Sequence, residues 1–251
     1  MVASVGLVDP RFEKRYLFDA TPDFPAQVRA LLRSGAFDAG KVPDAIFLTH
    51  AHIGHYTGLM HLGKEVLNTT LVPVYVMLRM ELFLQRNGPW KQLVKQENIK
   101  MIPMTDLQPI PMSPDLSIAP FLVPHRDEFS ETVGYLIKGP DKKALFIPDI
   151  DKWETWKTSI LQVLKEVDYA FLDGTFYDAS EMPDRDISQI PHPFITETMR
   201  LLDILPEEER NKVYFIHLNH TNPALDPDSE ATKQILEKGY HVARMGMEFG
   251  L

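Results

Sequence analysis

Three histidines fall within six residues in the stretch Thr49-His50-Ala51-His52-Ile53-Gly54-His55, directly after the apolar run Ala45-Ile46-Phe47-Leu48. Neutral imidazole is the commonest protein ligand for zinc, and catalytic zinc sites keep one position open for water. A strand that is apolar throughout is buried on both faces, so its polar chemistry begins where the strand ends. Histidines at that edge can converge on one cation. The competing reading is a His-rich surface turn, because short motifs also arise without function.

The pattern recurs along the chain. His125 follows Phe121-Leu122-Val123-Pro124, Asp149 follows Leu145-Phe146-Ile147-Pro148, Asp173 follows Tyr169-Ala170-Phe171-Leu172, and His217 follows Val213-Tyr214-Phe215-Ile216. A lone His or Asp at a strand end is as often a cap or a solvated turn residue, but five such ends, counting His50, make a site. The chain has no cysteine, which removes disulfides, thiolate ligands and cysteine nucleophiles and suits a reducing compartment. Any metal must then be held by His, Asp or Glu.

Composition narrows the remaining classes. The 35 acidic against 26 basic residues give a formal charge of −9, which argues against a nucleic-acid binder that relies on a basic face. No apolar stretch is long enough to span a bilayer, and residues 1–9 lack the basic end and apolar centre of a signal peptide. A soluble, cytoplasmic protein without a membrane partner is expected. The 251 residues suit one domain over 1–251.

The elements that must position these residues follow from periodicity and turn signals. Residues 2–8 and 15–19 predict a hairpin around Asp9-Pro10. Thr21-Pro22-Asp23 is expected to cap a helix running to about Ser34, with its side chains accepting helix N–H groups, and Gly35 closes it. A helix is expected over 57–66, just beyond the histidines, then a strand at 71–76 and helices at 78–86 and 90–96. Strands at 99–104 and 116–123 are separated by a proline-rich turn, 109–114, and 132–138 with 143–147 reads as a hairpin. Trp153, Trp156, Ile160, Leu164 and Val167 recur at helical spacing and predict an amphipathic helix over 153–167 whose stripe is core. A strand at 169–172, a polar loop at 181–193, helices at 194–205 and 229–238, and strands at 213–216 and 242–245 complete the chain.

The order of these landmarks resembles the metallo-β-lactamase superfamily across nearly the whole chain. The stretch 49–55 is similar to that family's first metal motif, His125 before Gly134-Tyr135-Leu136-Ile137 to its third histidine, Phe146-Ile147-Pro148-Asp149 to its bridging aspartate, and Phe215-Ile216-His217 to its last ligand. The resemblance implies an α/β fold, the four-layer αββα sandwich, with metals along one sheet edge. Within the superfamily, Asp19-Ala20-Thr21-Pro22-Asp23, Gly54-His55-Tyr56-Thr57-Gly58-Leu59 and His217-Leu218-Asn219-His220-Thr221-Asn222-Pro223 look most like the pyrroloquinoline quinone biosynthesis protein B branch, close to phosphodiesterases. Such proteins begin with a further strand and a glycine-rich loop before the segment matching 2–8, so an N-terminal strand is expected to be missing here.

By the family pattern His50, His52 and His125 would hold a first metal, leaving His55, Asp149 and His217 for a second. The family motif has an aspartate where Gly54 stands, and losing that charged oxygen weakens the second site. Zinc is therefore expected with one ion tight and a second weak or absent, although iron or manganese suits the same donors. A bound dication lowers the pKa of its water to about seven, so the implied chemistry is metal-assisted hydrolysis of a small, anionic ester such as a phosphodiester. Asp149 would orient that water and take its proton, while His192 and His220 are candidate proton donors to the leaving group. The pair Asp173-Gly174-Thr175-Phe176 and His192-Pro193 resembles elements beside the metals in the family's phosphodiesterases. His220 is equally a substitute ligand or a loop histidine, and Asp151 either an oxygen ligand or a carboxylate at a helix start. His61 and His241 read as structural, the long loop 177–191 is a candidate pocket wall, and Arg126 and Arg185 are the nearest cations for an anionic substrate. Two other functions stand beside hydrolysis: an oxidoreductase or accessory role of the quinone-biosynthesis type on the same ligands, and a non-catalytic metal-binding module.

Overall fold

The first hairpin forms where the alternation places it: β1 (Val5–Asp9) pairs antiparallel with β2 (Lys14–Phe18), Val5 opposite Phe18. The computed structural model describes residues 2–35, 37–38, 40–183 and 186–251, so Arg185 lies outside the described residues. The chain divides into two compact units, residues 1–105 with 127–131 and residues 106–126 with 132–251.

In the first unit five strands lie in the order β1-β2-β3-β4-β5, with β3 (Ala45–Phe47), β4 (Val72–Val76) and β5 (Ile99–Pro103) parallel to β2. The register sets Phe18 beside Phe47 and Phe47 beside Tyr75, and their rings stack at 5.2 and 4.4 Å. Such same-face aromatic neighbours stabilise the pairing beyond their buried area. Helix α1 (Phe24–Arg33) connects β2 to β3 and buries Phe24, Val28 and Leu31 at helical spacing; Gly35 follows with φ +83°, a left-handed conformation that glycine adopts without strain. The expected side-chain cap is not made. Asp23 instead accepts the backbone N–H of Val2, and Thr21 accepts that of Asp23. Helix α2 (Ile53–Tyr56) starts four residues earlier than the sequence suggested, at the histidines themselves, and passes into a 3-10 turn, Thr57–Leu62. Helices α3 (Leu78–Arg86) and α4 (Trp90–Lys95) complete the unit.

The second unit is a seven-stranded sheet of β6 (Ile110–Ser113), β7 (Leu116–Leu122), β8 (Val133–Lys138), β9 (Lys143–Ile147), β10 (Tyr169–Asp173), β11 (Val213–Ile216) and β12 (His241–Val242), ordered β12-β11-β10-β9-β8-β7-β6. The proline-rich 109–114 is thus a strand and not only a turn. It is the sheet edge, where a proline without an N–H costs no ladder bond. Strands β9, β10, β11 and β12 are parallel, while β7 and β8, then β8 and β9, are antiparallel, so β7 runs the same way as β9. The C-terminal ends of β7, β9, β10 and β11 therefore share one edge.

The stripe over 153–167 is core as expected, but not one helix. Trp153–Thr155 and Leu164–Glu166 are 3-10 turns, and only Ile160–Val163, α5, is α-helical. Extended backbone at Trp156 and Ser159 breaks it, and Trp153 Nε1 donates to Thr198 Oγ1 while Trp156 Nε1 donates to Leu122 O. Those tertiary bonds outweigh the helical period. Around them pack Leu145, Ile147, Leu172 and Phe215 from the sheet with Ile195, Met199 and Leu202 from α6 (Ile195–Leu202), each burial contributing about 1.5–3 kcal/mol. Helices α7 (Glu207–Arg210) and α8 (Glu230–Glu237) follow, the latter capped by Ser229 Oγ accepting the Thr232 N–H. Among the described residues no helix is long and apolar enough to cross a membrane.

Candidate metal centre

At the end of β2 the chain turns at Asp19, which is wholly buried and has φ +64°. Because β2 and β3 are parallel neighbours, Asp19 stands beside the end of β3, where it accepts the Thr49 N–H at 2.8 Å and the Thr49 hydroxyl at 3.0 Å. Asp19 Oδ2 also accepts His55 Nδ1–H at 2.8 Å. A carboxylate can only accept, so this contact fixes the proton on Nδ1 and leaves the lone pair on His55 Nε2, the candidate donor atom.

His50 and His52 are set by the same reasoning. Thr49 spends its hydroxyl proton on Asp19, so its oxygen accepts from His50 Nδ1 at 2.9 Å. Glu128 Oε2 lies 3.1 Å from His52 Nε2 and accepts its proton. The inner atoms, His50 Nε2 and His52 Nδ1, then present lone pairs 2.8 Å apart. Such a pair repels unless a cation or a proton lies between, which is the donor arrangement a divalent metal needs.

The second unit gathers its own donors at the shared edge of β7, β9, β10 and β11. His125 Nδ1 donates to Asp151 Oδ1 at 3.1 Å, and His217 Nδ1 to the Thr175 hydroxyl at 2.9 Å, so both rings present Nε2. Those Nε2 atoms stand 3.7 Å from Asp149 Oδ1 and 3.5 Å from Asp149 Oδ2. The distances are too long for hydrogen bonds but near the roughly 3.3 Å that separates two ligands about 2.0–2.1 Å from a tetrahedral ion. The residues fit a metal. His217 itself has φ +65°, a left-handed backbone that costs a side-chain-bearing residue about 1–3 kcal/mol and is concentrated at functional sites.

Behind this edge Asp173, wholly buried, accepts the Ile150 N–H on Oδ2 and the Thr175 N–H and hydroxyl on Oδ1. It groups with Asp149 and His192 within metal-ligand range, but its oxygens are already filled, so it acts as an orienting carboxylate. His192 Nδ1 donates to Asp173 Oδ2 at 2.9 Å and lies 3.2 Å from Asp149 Oδ1. Burial works to lower the His192 pKa, but the carboxylates of Asp173 and Asp149 outweigh it and the opposing charge of Arg126, and push it up to about 9.

In the first unit His50 follows the end of β3, His52 caps α2 and His55 lies within it; in the second, His125, Asp149 and His217 follow the ends of β7, β9 and β11. His220 is exposed, with Nδ1 3.1 Å from Asn219 Oδ1, and it joins no donor group among the described residues. Asp151 proves to be the partner of His125. The His61 ring stacks on Phe24 and the His241 ring on Tyr214. Asp19, Thr49, Thr175 and Glu128 carry roles that spacing alone did not reveal.

A model of the beta-lactamase superfamily domain matches residues 14–218. The chain belongs to the beta-lactamase superfamily. This superfamily member is similar to coenzyme PQQ synthesis protein B of Pseudomonas fluorescens (strain Pf0-1), 25% identical over 260 residues that cover 94% of this chain and 83% of that protein. The same protein of Azotobacter vinelandii is 27% identical with the same coverage. Among solved structures, Zn(2+)-bound PqqB from Methylobacterium extorquens matches with a TM-score of 0.80 at 20% identity, over 99% of this chain and 87% of that one. A diphosphatase from the PhnP family matches with a TM-score of 0.63 at 20% identity, over 98% and 82%. The branch of the metallo-β-lactamase superfamily that this chain resembles is thus the PQQ synthesis protein B-like one, and its two sheets with their helices are that mixed α/β fold.

Proposed function

We propose that this chain is a metal-dependent hydrolase of a small anionic ester, with phosphodiesters as the substrate class. The observation that carries the reading is Asp149, buried between the Nε2 atoms of His125 and His217, with each ring locked from behind by Asp151 or Thr175. Zinc is the proposed ion, as in the PqqB of Methylobacterium extorquens, held by the donors that the family order names: His50, His52, His55, His125, Asp149 and His217. When bound, such an ion acidifies water and polarises an ester oxygen. Asp149 orients the attacking water and accepts its proton. His192, its Nδ1 held by Asp173, carries a proton toward the leaving group, and the exposed His220 is the alternative donor.

The test is turnover of bis(4-nitrophenyl) phosphate by zinc-loaded protein, alongside a lactone and a thioester. Hydrolysis of the phosphodiester that is lost in His52→Ala and in Asp149→Asn is expected; turnover that survives both substitutions, or no turnover of any ester, overturns the reading. A second reading draws on the similarity to PQQ synthesis protein B: an oxidoreductase or accessory protein of cofactor maturation, using iron or manganese at the same donors. Elemental analysis of the protein as purified separates the two, because a redox metal favours the second.

A further inference from the structure

Helix α3 carries Arg79, Phe83 and Arg86 at positions i, i+4 and i+7, one stripe along two turns. The segment 127–131 faces this stripe within the first unit. Arg79 Nη2 donates to Asp127 O at 2.6 Å, Glu131 accepts the Arg79 backbone N–H, and the Phe129 ring lies 5.5 Å from that of Phe83. Between them is a groove of about 280 Å³ whose walls include Arg79, Phe83, Arg86, Asn87, Glu128 and Phe129.

Three features of the groove point to a ligand. Arg86 makes no hydrogen bond or ion pair among the described residues, although the chain carries a formal charge of −9. The carboxylate in the groove wall, Glu128, is engaged with His52 Nε2 at 3.1 Å, so the groove opens beside a metal donor. Phe129 leaves 58% of its surface exposed, a large apolar face in a groove that Arg79 and Arg86 also line. A planar fork of guanidinium donors matches a carboxylate or phosphate, and an exposed phenyl face matches a flat ring.

We propose that this groove is a substrate subsite that binds an aromatic ring bearing an anionic oxygen group, with Arg86 and Arg79 on the anion and Phe129 on the ring. Only the word substrate rests on the hydrolase reading; the binding itself does not. Arg79 and Arg86 stand seven residues apart on α3, two helical turns, and so share a face.

The experiment is calorimetric titration of zinc-loaded protein with phenyl phosphate and with inorganic phosphate. Phenyl phosphate is expected to bind at least 10-fold more tightly than inorganic phosphate, and Arg86→Ala, whose side chain holds nothing else in place, is expected to weaken it about 10-fold with an unchanged melting temperature. Phe129→Ala should remove the preference for the aryl ligand. Equal affinity of wild type and Arg86→Ala, or equal affinity for the two ligands, overturns the proposal. Arginine-dependent binding in a protein that hydrolyses no ester keeps the subsite and removes the hydrolase reading; ester hydrolysis with no effect of Arg86→Ala does the reverse.

Discussion

The hydroxyl of Thr175 lies 2.9 Å from His217 Nδ1 and 2.7 Å from Asp173 Oδ1, so it passes a hydrogen bond from a ring to a buried carboxylate. The first unit repeats the device: Thr49 Oγ1 lies 2.9 Å from His50 Nδ1 and 3.0 Å from Asp19 Oδ1. In both, the carboxylate also takes the threonine N–H, which locks the hydroxyl in place. Groups behind a metal ligand set its tautomer and its aim.

Removing that hydroxyl should therefore loosen the metal without unfolding the chain. Thr175→Val keeps the shape of the side chain and is expected to lower zinc affinity about 10- to 100-fold in chelator competition, with Thr175→Ser close to wild type. Equal affinities for the valine variant and wild type would show that Thr175 only packs.

The position of Gly54 has room for the acid that the family motif carries there. A Cβ at Gly54 would meet only Val2 Cγ1, at 3.7 Å, and no left-handed backbone stands in the way. Gly54→Asp is expected to raise the zinc retained after dialysis from about one equivalent toward two, an added carboxylate supplying both a ligand and charge neutralisation. Two equivalents already held by wild type would contradict the expectation.

His192 should govern a pH dependence of the metal-free protein. Its folded-state pKa, about 9, lies above the ordinary 6.5, so its ion pair with Asp173 stabilises fully below about pH 6.5 and is lost as pH rises through 9. The melting temperature of metal-free wild type should accordingly fall over that window relative to His192→Gln. An imidazole NMR titration of His192 with a midpoint below 7 would refute it.

Gly58 marks a close approach in the first unit. Its N–H donates to Ala20 O at 2.8 Å, and a Cβ there would collide with the Thr21 backbone oxygen and stand 2.6 Å from Phe24 Cβ. Backbone cannot yield as a flexible side chain can, so Gly58→Ala should destabilise the fold by about 3 kcal/mol or more. Urea denaturation checks it, with Gly88→Ala as the control, since a Cβ at Gly88 meets nothing within 4 Å.

What was legible in the chain alone was local. Apolar runs that stop abruptly at His50, His125, Asp149, Asp173 and His217 declared both the strands and the donor types, because burial on two faces and a polar terminus are written in consecutive residues. Where a local pattern competed with a distant partner, it misled. The 153–167 stripe has helical period, yet Trp153 and Trp156 bond to Thr198 and Leu122 and the helix breaks between them. The prolines of 109–114 read as a turn, yet an edge strand tolerates them.

The sequence by itself determined which candidate donors the chain carries and which apolar runs they follow. Tertiary structure decided which nitrogen of each candidate ring carries the proton. His55 takes its tautomer from Asp19, 36 residues away, and His52 from Glu128, 76 residues away. A proton on an imidazole answers to the acceptor in contact with it, and folding alone brings that acceptor within reach.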